Sequence, residues 1–264
     1  NINILTYNYL MLTKKIIGLI PSRISSTRLY QKPLLEINKI PLVIHTYLRA
    51  KLSKKISDLY ICCDDRSIYD VAKKYGAKVI MTSKKNKNGT ERIAEAYEKI
   101  NKKYDLIIDI QGDEPLISPK HIDTVIENHL KNLNYDIILP SIITNNIDTP
   151  NIVKIVANQN NEVMYLSRAL IPYNFKKKTK NFLKHLSIIS FKPSALKKFK
   201  KSNESPIEKI EGIELMRALE IGLKVKTINL KGGSFSIDVE KDYLKAKKFM
   251  KNDKYFKLYK KFKI

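Results

Sequence analysis

Three cations stand in one short stretch of this chain. In PSRISSTRLYQKP, residues 21–33, Arg23, Arg28 and Lys32 are spaced five and four residues apart, with Ser25, Ser26 and Thr27 between them. Such a loop can wrap a triphosphate, because guanidinium and ammonium groups neutralise phosphate oxygens and hydroxyls donate to them. It lacks the G-x-x-x-x-G-K-[ST] pattern of a Walker loop, so side chains rather than a glycine cradle must hold the phosphates. A second cluster is IDIQGDEP, where Gln111, Gly112, Asp113 and Glu114 follow an apolar run. A carboxylate released by a glycine at a strand's carboxyl edge is placed to hold Mg²⁺ against phosphate oxygens, since that ion takes only one or two protein carboxylates and completes its shell from substrate and water. Asp238, in GGSFSIDVEKD, offers a second carboxylate, although local sequence favours it as the N-cap of the following helix.

The elements that must position these residues are legible as alternating strands and helices. IIGLIPS reads as a buried parallel strand and PLVIHTYLRAKLSK as an amphipathic helix opened by proline. DLYICCD, a helix over about 66–75, AKVIMT, a helix over 90–102 and DLIIDI repeat the order. Near-continuously apolar strands alternating with helices predict a parallel sheet covered on both faces. The pattern then loosens. A helix over 119–130 precedes YDIILPSIIT, and IVKIVAN, EVMYLS and HLSIISFK read as a meander added to the main sheet. A helix over 206–222, the strand KVKTINL and a basic terminal helix close the chain. In an open parallel sheet, ligands sit at the carboxyl ends of the strands, which is where both clusters fall.

Composition narrows the class. The 264 residues, 43% hydrophobic, suffice for one large α/β domain. Residues 15–264 read as that domain, with a substrate or dimerisation subregion at about 150–205. Residues 1–14 read as an amino-terminal extension, and Met11 stands where a natural start could fall. Cys62 and Cys63 are adjacent, without zinc or redox spacing, and read as buried strand residues in a reducing compartment. No stretch approaches the ~20 apolar residues of a membrane span, so a soluble, cytoplasmic protein is expected. The net charge of +24 invites nucleic acid as a partner, but the lysines are scattered over every predicted helix rather than gathered on one face. Arginine is scarce at seven residues, and five of them, Arg23, Arg28, Arg92, Arg168 and Arg217, fall within the local motifs.

IPSRISSTRLYQKPL, NGTERIAEA, IQGDEP, NIVKIV, SRALIP and SPIEKIEGIELMRAL, in this order, resemble the 3-deoxy-manno-octulosonate (Kdo) cytidylyltransferases of lipopolysaccharide synthesis, over about residues 15–250. The resemblance implies a GT-A-like nucleotidyltransferase sheet with a β extension for sugar binding and dimerisation, hence a homodimer. It implies an enzyme that transfers CMP from CTP to an acidic sugar. Under it, Arg23, Ser26, Thr27, Arg28 and Lys32 meet the triphosphate, Asp113 and Asp238 ligate Mg²⁺, and Asn88, Gly89, Arg92 and Gln111 lie near the nucleotide. Arg168, His185, Glu208 and Glu211 match positions lining the sugar pocket.

The chain departs from the family pattern at Asn88, at Ile189 and Phe191 where tyrosines are usual, and at Leu215 where glutamine is usual. The change at Asn88 rearranges the cytosine side, whereas those at Ile189, Phe191 and Leu215 remove hydrogen-bonding groups from a site that would face a polyol, which keeps another ulosonic or sialic-acid-like sugar open as substrate. A lone His185 beside Leu186 is equally a core residue in its own right. The reading from another class is a basic binding protein for nucleic acid or a membrane surface, carried by the tail KAKKFMKNDKYFKLYKKFKI. A solvated helix whose aromatics pack on the domain explains the same pattern.

Overall fold

A computed structural model describes residues 14–26, 28–145, 149–233 and 235–261. Apart from Lys14, the expected extension lies outside the described residues, as does Thr27. The strands are β1 (Ile16–Ser22), β2 (Glu36–Ile37), β3 (Ile40–Pro41), β4 (Asp58–Cys63), β5 (Lys78–Met81), β6 (Leu106–Ile110), β7 (Ile137–Thr144), β8 (Lys154–Ala157), β9 (Val163–Ser167), β10 (Phe182–His185), β11 (Ile188–Phe191) and β12 (Val225–Asn229). The helices are α1 (Leu42–Ala50), α2 (Arg66–Lys74), α3 (Gly89–Ile100), α4 (Pro119–Lys131), α5 (Pro193–Lys201), α6 (Pro206–Glu211), α7 (Leu215–Glu220), α8 (Glu240–Lys251) and α9 (Phe256–Tyr259).

All but β2 and β3 join one sheet, in the order β5-β4-β1-β6-β11-β7-β10-β8-β9, with β12 alongside β7. The half built from β5, β4, β1 and β6 is parallel, as the apolar strands require. Every residue of β1 is buried, because helices cover both faces there. All nine residues of α1 are buried as well, so that helix is a core element rather than an amphipathic one. The second half of the sheet is antiparallel apart from the β7–β12 pair.

HLSIISFK, expected as a strand, forms β11 from Ile188, while β10 before it has no counterpart in the sequence reading. β10 and β11 lie along the same side of β7, with a break at Leu186 and Ser187. On their other side, β11 pairs with β6 and β10 pairs with β8. The sheet therefore forks: β6 ends at Ile110, opposite Ile188, and β8 begins at Lys154, opposite Lys184. Ligand-sized space opens in that fork. The helix expected over 206–222 is also divided, because Gly212 adopts a left-handed conformation (φ 60°) that caps α6 and turns the chain before α7. Helix α5 has no counterpart in the sequence reading.

Candidate functional site

Loops from the carboxyl ends of β1 and β6, the start of α3, the β10–β11 break and the α6–α7 elbow surround a cleft of about 1130 Å³. That volume is larger than the few hundred Å³ of a typical small-ligand pocket, enough for a nucleotide and a second substrate together.

At its phosphate end the expected charges converge. Lys32 Nζ lies 2.6 Å from Asp113 Oδ2 and 3.9 Å from Asp238 Oδ1, and Arg28 donates to that same Asp238 oxygen at 2.8 Å. Two carboxylates more than a hundred residues apart thus share one ammonium. The backbone holds them there, since Ile237 N donates to Asp113 O at 3.0 Å. Gly112 makes the approach possible: a Cβ at that position would stand 2.7 Å from the Pro21 carbonyl oxygen at the end of β1. Arg23 and Ser26 also line this end, Arg23 exposed. Asp238 is not the N-cap that local sequence favoured. The Asp242 carboxylate accepts from the amides of Asp238 and Val239, which leaves the Asp238 side chain to Arg28 and to Ser236 Oγ.

A pair of carboxylates beside two cations suits a hard divalent ion that draws its remaining ligands from phosphate oxygens and water. Among the described residues there is no group of three or more His, Cys, Asp or Glu side chains able to hold a metal, so the donors present fit Mg²⁺ shared with a substrate rather than an ion caged by protein.

The middle of the cleft is more structural than expected. Asn88 caps α3, accepting from Glu91 N at 2.8 Å, and its Nδ2 faces Glu208 Oε1 at 3.3 Å. Arg92 is buried and bound to Asp64 at 2.9 Å and Thr82 Oγ1 at 2.7 Å. It reaches the cleft wall as one half of an internal ion pair. Gln111 lies over Gly89, where a Cβ would come within 2.9 Å of the Gln111 amide nitrogen.

At the sugar end, Glu208 lines the cleft but is gripped by Arg217, whose Nε and Nη2 donate at 2.6 and 2.7 Å. The Arg217 guanidinium stacks on Phe199 and also meets Glu91 at 3.0 Å. Arg168 spends its guanidinium on the carbonyls of Glu211, Pro150 and Gly212. Glu211 stands behind the wall, accepting from Ser167 Oγ and Arg168 N. Of these two residues, expected at the sugar pocket, Arg168 lines the cleft and Glu211 braces the loop behind it. His185 does line the cleft, and its Nε2 is buried without a hydrogen-bond partner. Burial, then Lys184 and Arg168, lower its pKa to about 4, so the ring is neutral. Lys87, Lys184 and Lys209 also reach the cleft. Sequence reasoning passed over them because forty other lysines look the same; only the fork of the sheet singles them out. Ile189 and Leu215 are buried at the cleft floor.

Cations and carboxylates clustered at the carboxyl end of a parallel sheet suit a nucleotide's phosphates, and the sheet is that of a nucleotidyltransferase. The cytidylyltransferase family model matches residues 17–228. The chain is 37% identical over 242 residues to the 3-deoxy-manno-octulosonate cytidylyltransferase of Fusobacterium nucleatum, covering 90% of this chain and 98% of that protein. It is 39% identical over 247 residues to the enzyme of the same name from Thermodesulfovibrio yellowstonii, covering 88% and 96%. Among solved structures it superposes, with a TM-score of 0.85 and 28% identity over 90% of this chain and 98% of the other, on a CMP:2-keto-3-deoxy-manno-octonic acid synthetase complexed with CTP. The chain belongs to the 3-deoxy-manno-octulosonate cytidylyltransferase family.

Proposed function

We propose that this protein transfers CMP from CTP to the anomeric hydroxyl of an acidic 3-deoxy sugar, Kdo first among them, and releases pyrophosphate. The observation that carries the reading is the convergence of Arg28, Lys32, Asp113 and Asp238 at one end of a two-substrate cleft. The sugar hydroxyl attacks the α-phosphorus in line; the new C–O–P bond forms as the bond to the β-phosphate oxygen breaks, and the hydroxyl proton is lost to solvent. No side-chain nucleophile is required, so the protein's part is positioning and charge neutralisation. Arg23, Arg28 and Lys32 neutralise the departing pyrophosphate. Asp113 and Asp238 would hold Mg²⁺, which when bound lowers the pKa of the attacking hydroxyl and screens the phosphates.

At the sugar end, Lys184 and Lys209 attract the substrate's carboxylate, beside Lys87, which is paired with Glu204 at 2.9 Å. Neutral His185, with its unpartnered Nε2, can exchange a hydrogen bond with a sugar hydroxyl. Buried Ile189 and Leu215 leave part of the floor without such partners, which favours a substrate presenting an apolar edge there. A homodimer is part of the same reading, supported by the exposed apolar side chains Ile143, Met164, Leu170, Tyr173 and Phe175 around the antiparallel extension. A cytoplasmic location rests on the resemblance alone.

The test is incubation with CTP, Mg²⁺ and a panel of acidic sugars while pyrophosphate is followed. Release with Kdo or a related ulosonate, and none with CTP alone, is expected; no release with any acidic sugar would overturn the reading.

A further inference from the structure

Asp109 sits in β6 at the centre of the sheet, flanked by Leu19 of β1 and Ile189 of β11, and is fully buried. An acidic side chain in such a place is costly unless something specific is gained. Among the described residues its two oxygens face one donor: Gln111 Nε2 lies 3.1 Å from Oδ1 and 3.0 Å from Oδ2. Gln111, next on the same face of the strand, lines the cleft. Its amide has little freedom, because Gly89 packs beneath it and its own backbone N–H is tied to Ser187 O at 3.3 Å.

With the Gln111 amide nitrogen within hydrogen-bond distance of both Asp109 oxygens, an unprotonated oxygen accepts from it, and this contact selects one of the two orientations of the Gln111 amide. We infer that Asp109 is a positioning residue: by taking the Gln111 amide nitrogen, it turns the Gln111 carbonyl oxygen toward the cleft as an acceptor, so that the substrate group lying there must be a hydrogen-bond donor. Burial, then Glu214, push the Asp109 carboxyl above the usual carboxylate range, while the Gln111 bond acts to keep it charged; the contact with Gln111 is the opposing influence. The inference rests on the proposed two-substrate cleft and deepens it. An amine or a hydroxyl satisfies the acceptor, whereas a carbonyl or carboxylate in the same place would be repelled. Two donors answer to this chemistry, the exocyclic amine of the cytosine base and a hydroxyl of the sugar.

Asp109→Leu and Asp109→Asn test the assignment, the latter keeping an amide oxygen able to accept from Gln111 Nε2. In wild type, the Gln111 side-chain NH₂ is expected to show slowed hydrogen exchange in ¹⁵N spectra, lost in Asp109→Leu. In pyrophosphate-release kinetics, Asp109→Leu is expected to raise one KM about tenfold, the scale of one lost hydrogen bond, with kcat changed far less, and Asp109→Asn is expected to recover most of it. If the donor is the base amine, the KM for CTP rises and discrimination against UTP falls; if it is a sugar hydroxyl, the sugar KM rises and the CTP:UTP ratio stays. Unprotected Gln111 amide protons in wild type, unchanged KM values in a folded Asp109→Leu, or equal loss in both variants confined to kcat would overturn the inference. Protected amide protons in a wild type that turns over no acidic sugar would remove the enzymatic reading and leave the positioning role standing.

Discussion

Gly112 shows how a single missing side chain builds the phosphate end of the cleft. The strand β6 must end close against β1 for Asp113 to reach Lys32, and the obstacle to any Cβ is the backbone carbonyl of Pro21 at 2.7 Å, not a side chain that can swing away. Gly112→Ala is therefore expected to destabilise by about 1–3 kcal/mol, the range for forced overpacking, and to lower pyrophosphate release by moving Asp113. Thermal melts and steady-state assays check both. A variant with wild-type melting temperature and rate would mean that the two strand ends have slack. The same scale explains the double place of Arg92, on the cleft wall and in an internal ion pair. Its motif was visible, but its partner Asp64 comes from the end of β4, and no local pattern reveals a contact across 28 residues.

Elements carry the sugar side. α6 and α7 form an elbow around Gly212, and Arg217 clamps one to the other through Glu208 while reaching Glu91 of α3. The Arg217–Glu208 pair is desolvated, the two side chains being 2% and 5% exposed. Removing one partner of a buried pair leaves the other charge uncompensated, so Arg217→Met is expected to cost about 3–5 kcal/mol in urea unfolding. A change under about 1 kcal/mol would show that Glu208 is solvated in solution. The alternating half of the fold was legible because buried parallel strands and their helices write unmistakable apolar runs: β1, β4, β5 and β6 lie where IIGLIPS, DLYICCD, AKVIMT and DLIIDI put them. The fork was not legible. β11 lies within HLSIISFK, but the four residues of β10 are too few to write a strand pattern of their own, and what parts the two strands is their different neighbours, β8 and β6. The capping carboxylate of α8 was misplaced for a similar reason: Asp238 and Asp242 both suit the role locally, and the competition is decided by Arg28, 210 residues away.

Most of the molecule's basic charge lies on its surface, while His45 and His129 are buried. The basic tail is part of the domain: Tyr259 is buried and bonded to His45 at 3.0 Å, and Asp253 is paired with Arg49 at 2.5 Å. As far as Lys261 the tail is thus a packed part of the domain, with its lysines on the outer side. His45 and His129 have their pKa lowered to about 4, chiefly by burial. The unfolded chain takes up these protons near pH 6.5 and the folded chain only near 4, so their contribution to stability is present above pH 6.5 and lost as pH falls toward 4. Buried Asp109 and Glu214, raised by burial, act in the opposite direction. The histidine part is isolated by comparison: the acid-side fall in unfolding free energy is expected to be smaller in His129→Gln than in wild type, and equal slopes would contradict it. The account as a whole stands on two carboxylates and their cations acting together on a nucleotide's phosphates. Pyrophosphate release from CTP and Kdo in Mg²⁺ by Asp113→Asn, beside wild type, tests this most directly. A fall of roughly a hundredfold or more in kcat, the scale of a lost electrostatic group, with the melting temperature retained is the expected result; undiminished release would take Asp113 out of the metal site and contradict the account.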